Sequence, residues 1–319
     1  MKKALLAVFL AACSTQVAMA KDAYPAQPVT AMVGYAPGGN ADLVMRKLAQ
    51  LMAPKFPHGL VVENKPGAGG ALAVSVLSTS EPDGYRFAIL PNSNLALSPQ
   101  VTKLSYKSPN DILPVISVVS FSPVLLVSSN SPYKTLKDFV QGAEKNPGSI
   151  SIGFPGVATL SHLNVLALGR ATGTKFIEVP TQGWGVGASL LLGDQISASV
   201  AQPSESIPNL KSGKMRAIGS FSQERQVGLS DVPTMKEQGV DVGFGATYIL
   251  AVPKGTPAEA VKYIHDAAKG VMEMDEFKKF SEDNGLNIVY QDGAATLDAM
   301  NADFKAYTPI LEQNGLLNK

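Results

Sequence analysis

Two short glycine-rich stretches hold what a small anion needs. "GYAPGGNADL" occupies residues 34–43 and "NKPGAGGALA" residues 64–73. Each lies between an apolar run and a stretch of helical periodicity. Neither carries an evident nucleophile, and their only formal charges are Asp42 and Lys65. Glycine lets backbone N–H groups approach a ligand, and the N-terminus of a following helix favours negative charge. In open α/β sheets, ligands gather at the carboxyl ends of strands. Two such loops after adjacent strands would cradle a carboxylate or other oxyanion with neutral amides. One such loop alone would be read more simply, as a tight turn with close helix–sheet packing.

Other chemistries find less support. In "GAGGAL" (67–72), Leu72 stands where a dinucleotide fingerprint needs its third glycine. "GWGVG" (183–187) also fails as a pyrophosphate motif, and no Walker-type GKS or GKT occurs. No cofactor is therefore expected. His58, His162 and His265 lie far apart and form no HExxH-like pair, so no metal site is expected either. Ser161 and His162 are adjacent, but a triad needs a third orienting group, and no G-x-S-x-G elbow is present. Thr159, Ser161 and His162 read instead as the start of a helix after "GFPGVA", with Thr159 or a neighbour as its cap.

The elements that must position these residues follow from periodicity. "VTAMVGY" (29–35) reads as a strand. Residues 41–55 read as a helix with Val44, Leu48, Leu51 and Met52 on one face. Asn40 suits its N-cap, and Asp42 suits its first turn. "LVVEN" (60–64) is a second strand, 70–79 a second helix, and "EPDGY" a turn into a third strand, "YRFAIL". This β-loop-α-β-loop-α-β order implies a parallel sheet flanked by helices. The alternation repeats later. "SISIGF", "KFIEVP", "QISASVA" and "KMRAIGSF" read as strands, and residues 136–146, 159–169 and 187–192 as helices. "ATYILAVP" (246–253) is a late strand, followed by three helical segments within 257–314, with "GLNIVYQ" (285–291) as a last short strand. The long apolar stretch 115–129, broken by Ser-Pro, and the 246–253 strand are candidate crossovers between two α/β halves. No short-period repeat or low-complexity segment is found.

Composition sets the class. The 319 residues are 45% hydrophobic and 17% charged, which reads as globular and allows one or two domains. A net charge of +1 without a basic cluster argues against nucleic-acid binding. "MKK", "ALLAVFLAA" and "AMA" form the n-region, h-region and cleavage site of a secretory signal ending at Ala20. Loss of Lys2 and Lys3 takes the charge from +1 to −1. "LAAC" at 10–13 offers the competing reading of a lipobox that anchors the protein at Cys13. Cys13 is the only cysteine, so the mature chain can form no disulfide, thiolate metal site or cysteine nucleophile. That suits a bacterial periplasm.

The chain resembles a known family at this point. "YPAQPVTAMVGYAPGGNADLVMRKLAQ" is similar to the N-terminal signature of the tripartite tricarboxylate transporter receptors, also called Bug-type solute receptors. "VVENKPGAGGALA", "EPDGYRFAI", "SHLNVLAL", "VPTQGWGVGASLLLGDQI", "LKSGKMRAIG", "DVPTMKEQG" and "AVPKGTPAEAV" match further blocks, in family order, over nearly all the mature chain. The resemblance implies a two-domain α/β periplasmic-binding-protein type II fold with a ligand cleft between the lobes. Domain I would be residues 21–119 and 246–319, and domain II residues 120–245. It implies that Tyr35, Ala36, Pro37, Gly38, Gly39 and Asn40, with Gly67, Ala68, Gly69 and Gly70, hold a ligand carboxyl or carbonyl through amides and water. Phe154, Pro155, Gly156, Thr159 and Ser161, then Thr181, Gln182 and Gly183, and Pro203 and Ser204 would choose the rest of the ligand. The implied partners are a small organic acid and the membrane permease subunits of a tripartite tricarboxylate transporter, with the receptor acting as a monomer and no nucleic acid involved.

Several positions depart from the family pattern. Thr181 and Gln182 stand where Tyr and often a basic residue follow "VP". Trp184 fills a site often small, Thr247 beside Tyr248 replaces a Trp, and Ser197 replaces an Asp. These changes lead to the expectation of an uncharged, partly aromatic distal pocket lined by Tyr35, Phe154 and Trp184 or Tyr248. Such a pocket favours a monocarboxylate or polar neutral ligand over a citrate-like trianion. Two other functions stay open on sequence alone: an exported ligand sensor for a signalling partner, and an exported α/β enzyme, for which no catalytic constellation is found.

Overall fold

The computed structural model describes residues 24–157 and 159–318. The expected signal segment and Cys13 lie outside the described residues. Val29–Val33 (β1), Leu60–Asn64 (β2) and Arg86–Pro91 (β3) form a parallel trio with β1 in the middle. Val33 is in register with both Asn64 and Ile89, so the three strands end at about one level. β1 is almost wholly buried, as a strand covered on both faces must be. Asn40–Met52 (α1) follows β1 and turns Ala41, Val44, Met45, Leu48 and Met52 inward. Ala71–Ser78 (α2) follows β2, and two short helices, Asn92–Ala96 (α3) and Ser98–Val101 (α4), follow β3.

Ile112–Phe121 (β4) then leads into Val124–Ser128 (β5), with Ser122 and Pro123 between them. The long apolar stretch is thus two strands, and Pro123, which lacks an N–H, marks the break. The second half runs through Leu136–Lys145 (α5), Ser151–Pro155 (β6), Leu160–Thr172 (α6), Ile177–Thr181 (β7), Trp184–Leu192 (α7), Ala198–Ala201 (β8), Pro203–Lys211 (α8) and Met215–Ser220 (β9). The chain returns through Ala246–Pro253 (β10), Ala258–Met272 (α9), Asp275–Asp283 (α10), Asn287–Asp292 (β11) and Gly293–Gln313 (α11).

The strands make two sheets, ordered β11-β4-β10-β3-β1-β2 and β7-β6-β8-β5-β9. The first three strands are parallel, as their order implied, and antiparallel strands added later make both sheets mixed. β10 runs antiparallel to β3 and β4, β11 antiparallel to β4, and β5 antiparallel to β8 and β9. β10 and β5 are the strands that the crossovers deliver from the other half, whereas β11 returns within the first sheet's own half after α9 and α10. Each sheet is covered on both faces by apolar clusters. Leu160 and Leu163 of α6 pack into the core of the first sheet, so this helix bridges the two halves.

Candidate ligand-binding cleft

A cavity of about 500 Å³ opens at the carboxyl ends of β1, β2 and β3 and is closed on its other side by residues of the second sheet's helices and loops. α1 begins at its edge. Gly39, in extended conformation, is the N-cap in place of Asn40, so Asn40 is the first helical residue. The amides of Asn40 and Ala41 therefore have no acceptor within the helix, and both residues line the cavity. Asp42 does more than complement the helix dipole. It is buried and accepts hydrogen bonds from Gly38 N (2.8 Å), Arg46 Nε (2.9 Å) and Asn64 Nδ2 (2.8 Å).

The second glycine loop is held in unusual backbone. Gly67, Ala68, Gly69 and Gly70 all have positive φ, with Ala68 at 48° and Gly70 at 96°. Ala68 is strained there, because a left-handed conformation crowds its Cβ. At Gly70 no side chain is possible. A Cβ would lie 2.5 Å from Asn94 Oδ1 and 2.8 Å from the Tyr35 hydroxyl. These two groups fix the loop: Tyr35 Oη and Asn94 Nδ2 each donate to Gly69 O at 2.8 Å. Burial pushes the Tyr35 phenol up to about 12, so it remains a neutral donor. Asn94 lies on α3, which follows a third strand end. The strand-end rule that flagged the first two loops applies to it equally, and it was the signal for Ser93, Asn94, Leu97 and Ser98.

Of the residues expected at the site, Tyr35, Gly39, Asn40, Ala68, Gly69, Pro155, Thr159, Ser161 and Gly183 line the cavity. Ala36, Pro37, Gly38 and Gly67 shape the two loops without lining it. Gly156 accepts from the Thr159 hydroxyl through its carbonyl (2.9 Å), and Thr159 Oγ1 caps α6 by accepting from His162 N (3.3 Å). Phe154 is buried and stacks on the His162 ring at 4.6 Å, and His162 Nε2 lies 2.7 Å from Glu178 Oε2. Thr181 uses its hydroxyl on the carbonyls of Phe154 and Gly183, while Gln182 is exposed. Pro203 and Ser204 open α8, but its flanking residues Gln202 and Glu205 reach the cavity.

Trp184 and Tyr248 both line the cavity. Tyr248 is buried against Phe121 with ring centroids 5.0 Å apart, and burial holds its phenol far above its ordinary range. Ser197 lies away from the cleft. It pairs with Ser151 at the opposite ends of β6 and β8, so that departure does not alter the pocket. The expected uncharged distal wall needs correction, because Glu205 is on it. Sequence reasoning missed Glu205 because only the start of α8 carries it there. Among the described lining residues there is no Lys, Arg or His. No group of metal-ligating side chains occurs among the described residues.

Two stacked α/β layers with a cleft between them define a bilobed solute-binding protein. Residues 44–316 match the model of the "Tripartite tricarboxylate transporter family receptor", and the chain belongs to that family. It is 30% identical over 295 residues to the "UPF0065 protein in gbd 5'region" of Cupriavidus necator, covering 92% of this chain and 90% of that protein. A solved structure described as a periplasmic transporter shares 30% identity over 92% of this chain and 99% of its own, with a TM-score of 0.84. MatC from Rhodopseudomonas palustris with bound malate shares the fold, at 24% identity and a TM-score of 0.81 over 90% of this chain and 100% of its own. The family is one of solute-binding receptors and not of enzymes, which removes the reading of Ser161 and His162 as a nucleophilic pair.

Proposed function

We propose that this chain captures a small carboxylate-containing ligand between two closing lobes and delivers it to the permease subunits of a tripartite tricarboxylate-type transporter. The lobes are residues 21–119 with 246–319, and residues 120–245. The receptor is exported by a signal segment cleaved near Ala20 and works as a monomer in the periplasm. One observation carries this reading: Asn40 and Ala41 at the start of α1, and Ala68 and Gly69 of the second loop, line a cavity that has no cationic side chain among its described residues. Such amides hold one carboxylate well and offer a trianion little compensation. The MatC structure with malate is in line with a carboxylate ligand.

Thermal-shift screening tests it. A small monocarboxylate is expected to raise the unfolding midpoint, since a ligand that binds only the folded state stabilises it by mass action. Stabilisation by citrate with no response to any monocarboxylate would overturn the ligand class. No response to any carboxylate would overturn the receptor reading itself.

A further inference from the structure

Among the described residues, Glu205 is the one carboxylate on the cavity wall. It is the third residue of α8, and its Oε2 accepts from Gln202 N at 2.9 Å. That bond explains one oxygen. Glu205 Oε1 has no hydrogen-bond partner among the described residues. The Gln202 side chain takes part in the capping box of α8, and its oxygen is buried beneath the wall. Glu205 is therefore the charged acceptor that the second lobe brings to the cavity. On the first lobe, Asn40 and Ala41 at the start of α1 line the same cavity, with amides that have no acceptor within the helix. The first lobe thus brings donors to the cavity and the second brings a carboxylate. Buried polar groups left unpaired are costly, and a ligand that pairs them recovers that cost.

We propose that Glu205 sets ligand specificity: it accepts from an ammonium group of the ligand while the glycine loops hold the ligand's carboxylate, so the cleft takes an amino-carboxylate zwitterion and rejects di- and tricarboxylates. The proposal rests on the receptor reading above and narrows it. A second ligand carboxylate at this wall would meet the Glu205 carboxyl, with no Lys, Arg or His among the described lining residues to offset it. An ammonium would meet the Glu205 carboxyl, whose ionised form burial disfavours and a cationic partner restores, in a cavity that Trp184 also lines with an aromatic surface suited to a cation.

Isothermal titration with matched ligands tests this. δ-Aminovalerate, valerate and glutarate share one chain length and differ at the far end as ammonium, methyl and carboxylate. γ-Aminobutyrate, butyrate and succinate repeat the comparison one carbon shorter, and norvaline places the amine next to the carboxylate. At least one amino-carboxylate is expected to bind about tenfold or more tightly than its unsubstituted and dicarboxylate counterparts, the range for a hydrogen bond to a charged group. In Glu205→Gln, which keeps an acceptor for Gln202 N, that preference is expected to collapse and the dicarboxylate to gain. A dicarboxylate or simple monocarboxylate that binds the natural chain as tightly as every amino partner overturns the Glu205 proposal and leaves the receptor reading standing. Retention of the full amine preference in Glu205→Gln does the same. Failure of every carboxylate to bind overturns both.

Discussion

Asp42 ties the first glycine loop to its neighbours through three donors. Gly38 N and Arg46 Nε meet its Oδ2, and Asn64 Nδ2 meets its Oδ1. Asn64 also donates to Tyr35 O at 2.9 Å, so one buried carboxylate links the end of β1 to the end of β2. Burial pushes its pKa up, but the Arg46 guanidinium and the Gly38 and Asn64 amides outweigh this, and the net shift is below the ordinary 3.8. A carboxyl whose folded-state pKa is depressed adds stability that is complete above the unfolded-state value and is lost as pH falls through the folded one. Asp42→Asn is therefore expected to lower stability by about 1–3 kcal/mol near neutrality, the cost of leaving buried donors ill-paired. It is also expected to flatten the acid limb of the stability profile. Urea unfolding of both proteins near neutrality and below about pH 4 measures both effects. Equal stability near neutrality would show that the network adds nothing.

α3 is the element that sets the second loop, and its two asparagines do separate work. Asn94 Nδ2 donates to Gly69 O at 2.8 Å, and Tyr106 Oη donates to Asn94 O at 2.6 Å. Asn92 faces elsewhere: its Nδ2 donates to Asp303 Oδ2 at 2.6 Å, and its Oδ1 accepts from Thr247 N at 3.1 Å. Asn94→Ala should leave the Gly69 carbonyl with Tyr35 Oη alone and weaken ligand affinity about tenfold, the worth of one net hydrogen bond. Asn92→Ala should lower the unfolding midpoint while leaving affinity within error. Titration and thermal melts of the two variants separate these roles, and equal affinity loss in both would refute the division. How legible each element was follows from its composition. β1, α1 and β2 announce themselves by apolar period and by glycines at strand ends. α3 ("NSNLA") and α8 ("PSESIPNLK") do not, because Asn, Ser and Pro are weak helix formers and the segments are too short to show a period. The two glycine loops that reach the cavity, at Gly39 and Asn40 and at Ala68 and Gly69, were thus readable from their place at strand ends. Glu205 was not, because its position depends on α8 being carried to the cleft by β8 and on where the second sheet sits.

At the scale of the whole molecule, the two connecting segments are each gripped by one side-chain amide. Gln226, buried after β9, accepts from Ser122 N at 2.7 Å and donates to Ser122 O at 3.0 Å. Asn164 of α6, wholly buried, accepts from Phe244 N at 2.8 Å and donates to Phe244 O at 2.9 Å. Each amide stands in for a neighbouring strand and satisfies both polar groups of a crossover residue, as buried backbone requires. Gly243 lies against the second lobe too, where a Cβ would come within 2.2 Å of Phe221 O. Both segments are thereby tied to the second lobe. With the closing lobes proposed above, the hinge is expected at the residues that enter β10 and leave β4. Replacing Gln226 and Asn164 by Leu, of similar size, removes both grips and takes these partners from the N–H and C=O of buried Ser122 and of half-buried Phe244. Each substitution is expected to cost about 1–3 kcal/mol. Ligand binding should also weaken, because a looser crossover must be ordered on closure. Small-angle scattering reads the motion directly. The natural chain should contract on adding a bound carboxylate, and the double variant should start larger and contract further. A double variant that keeps the natural affinity and the natural change in radius of gyration would show that the grips do not define the hinge.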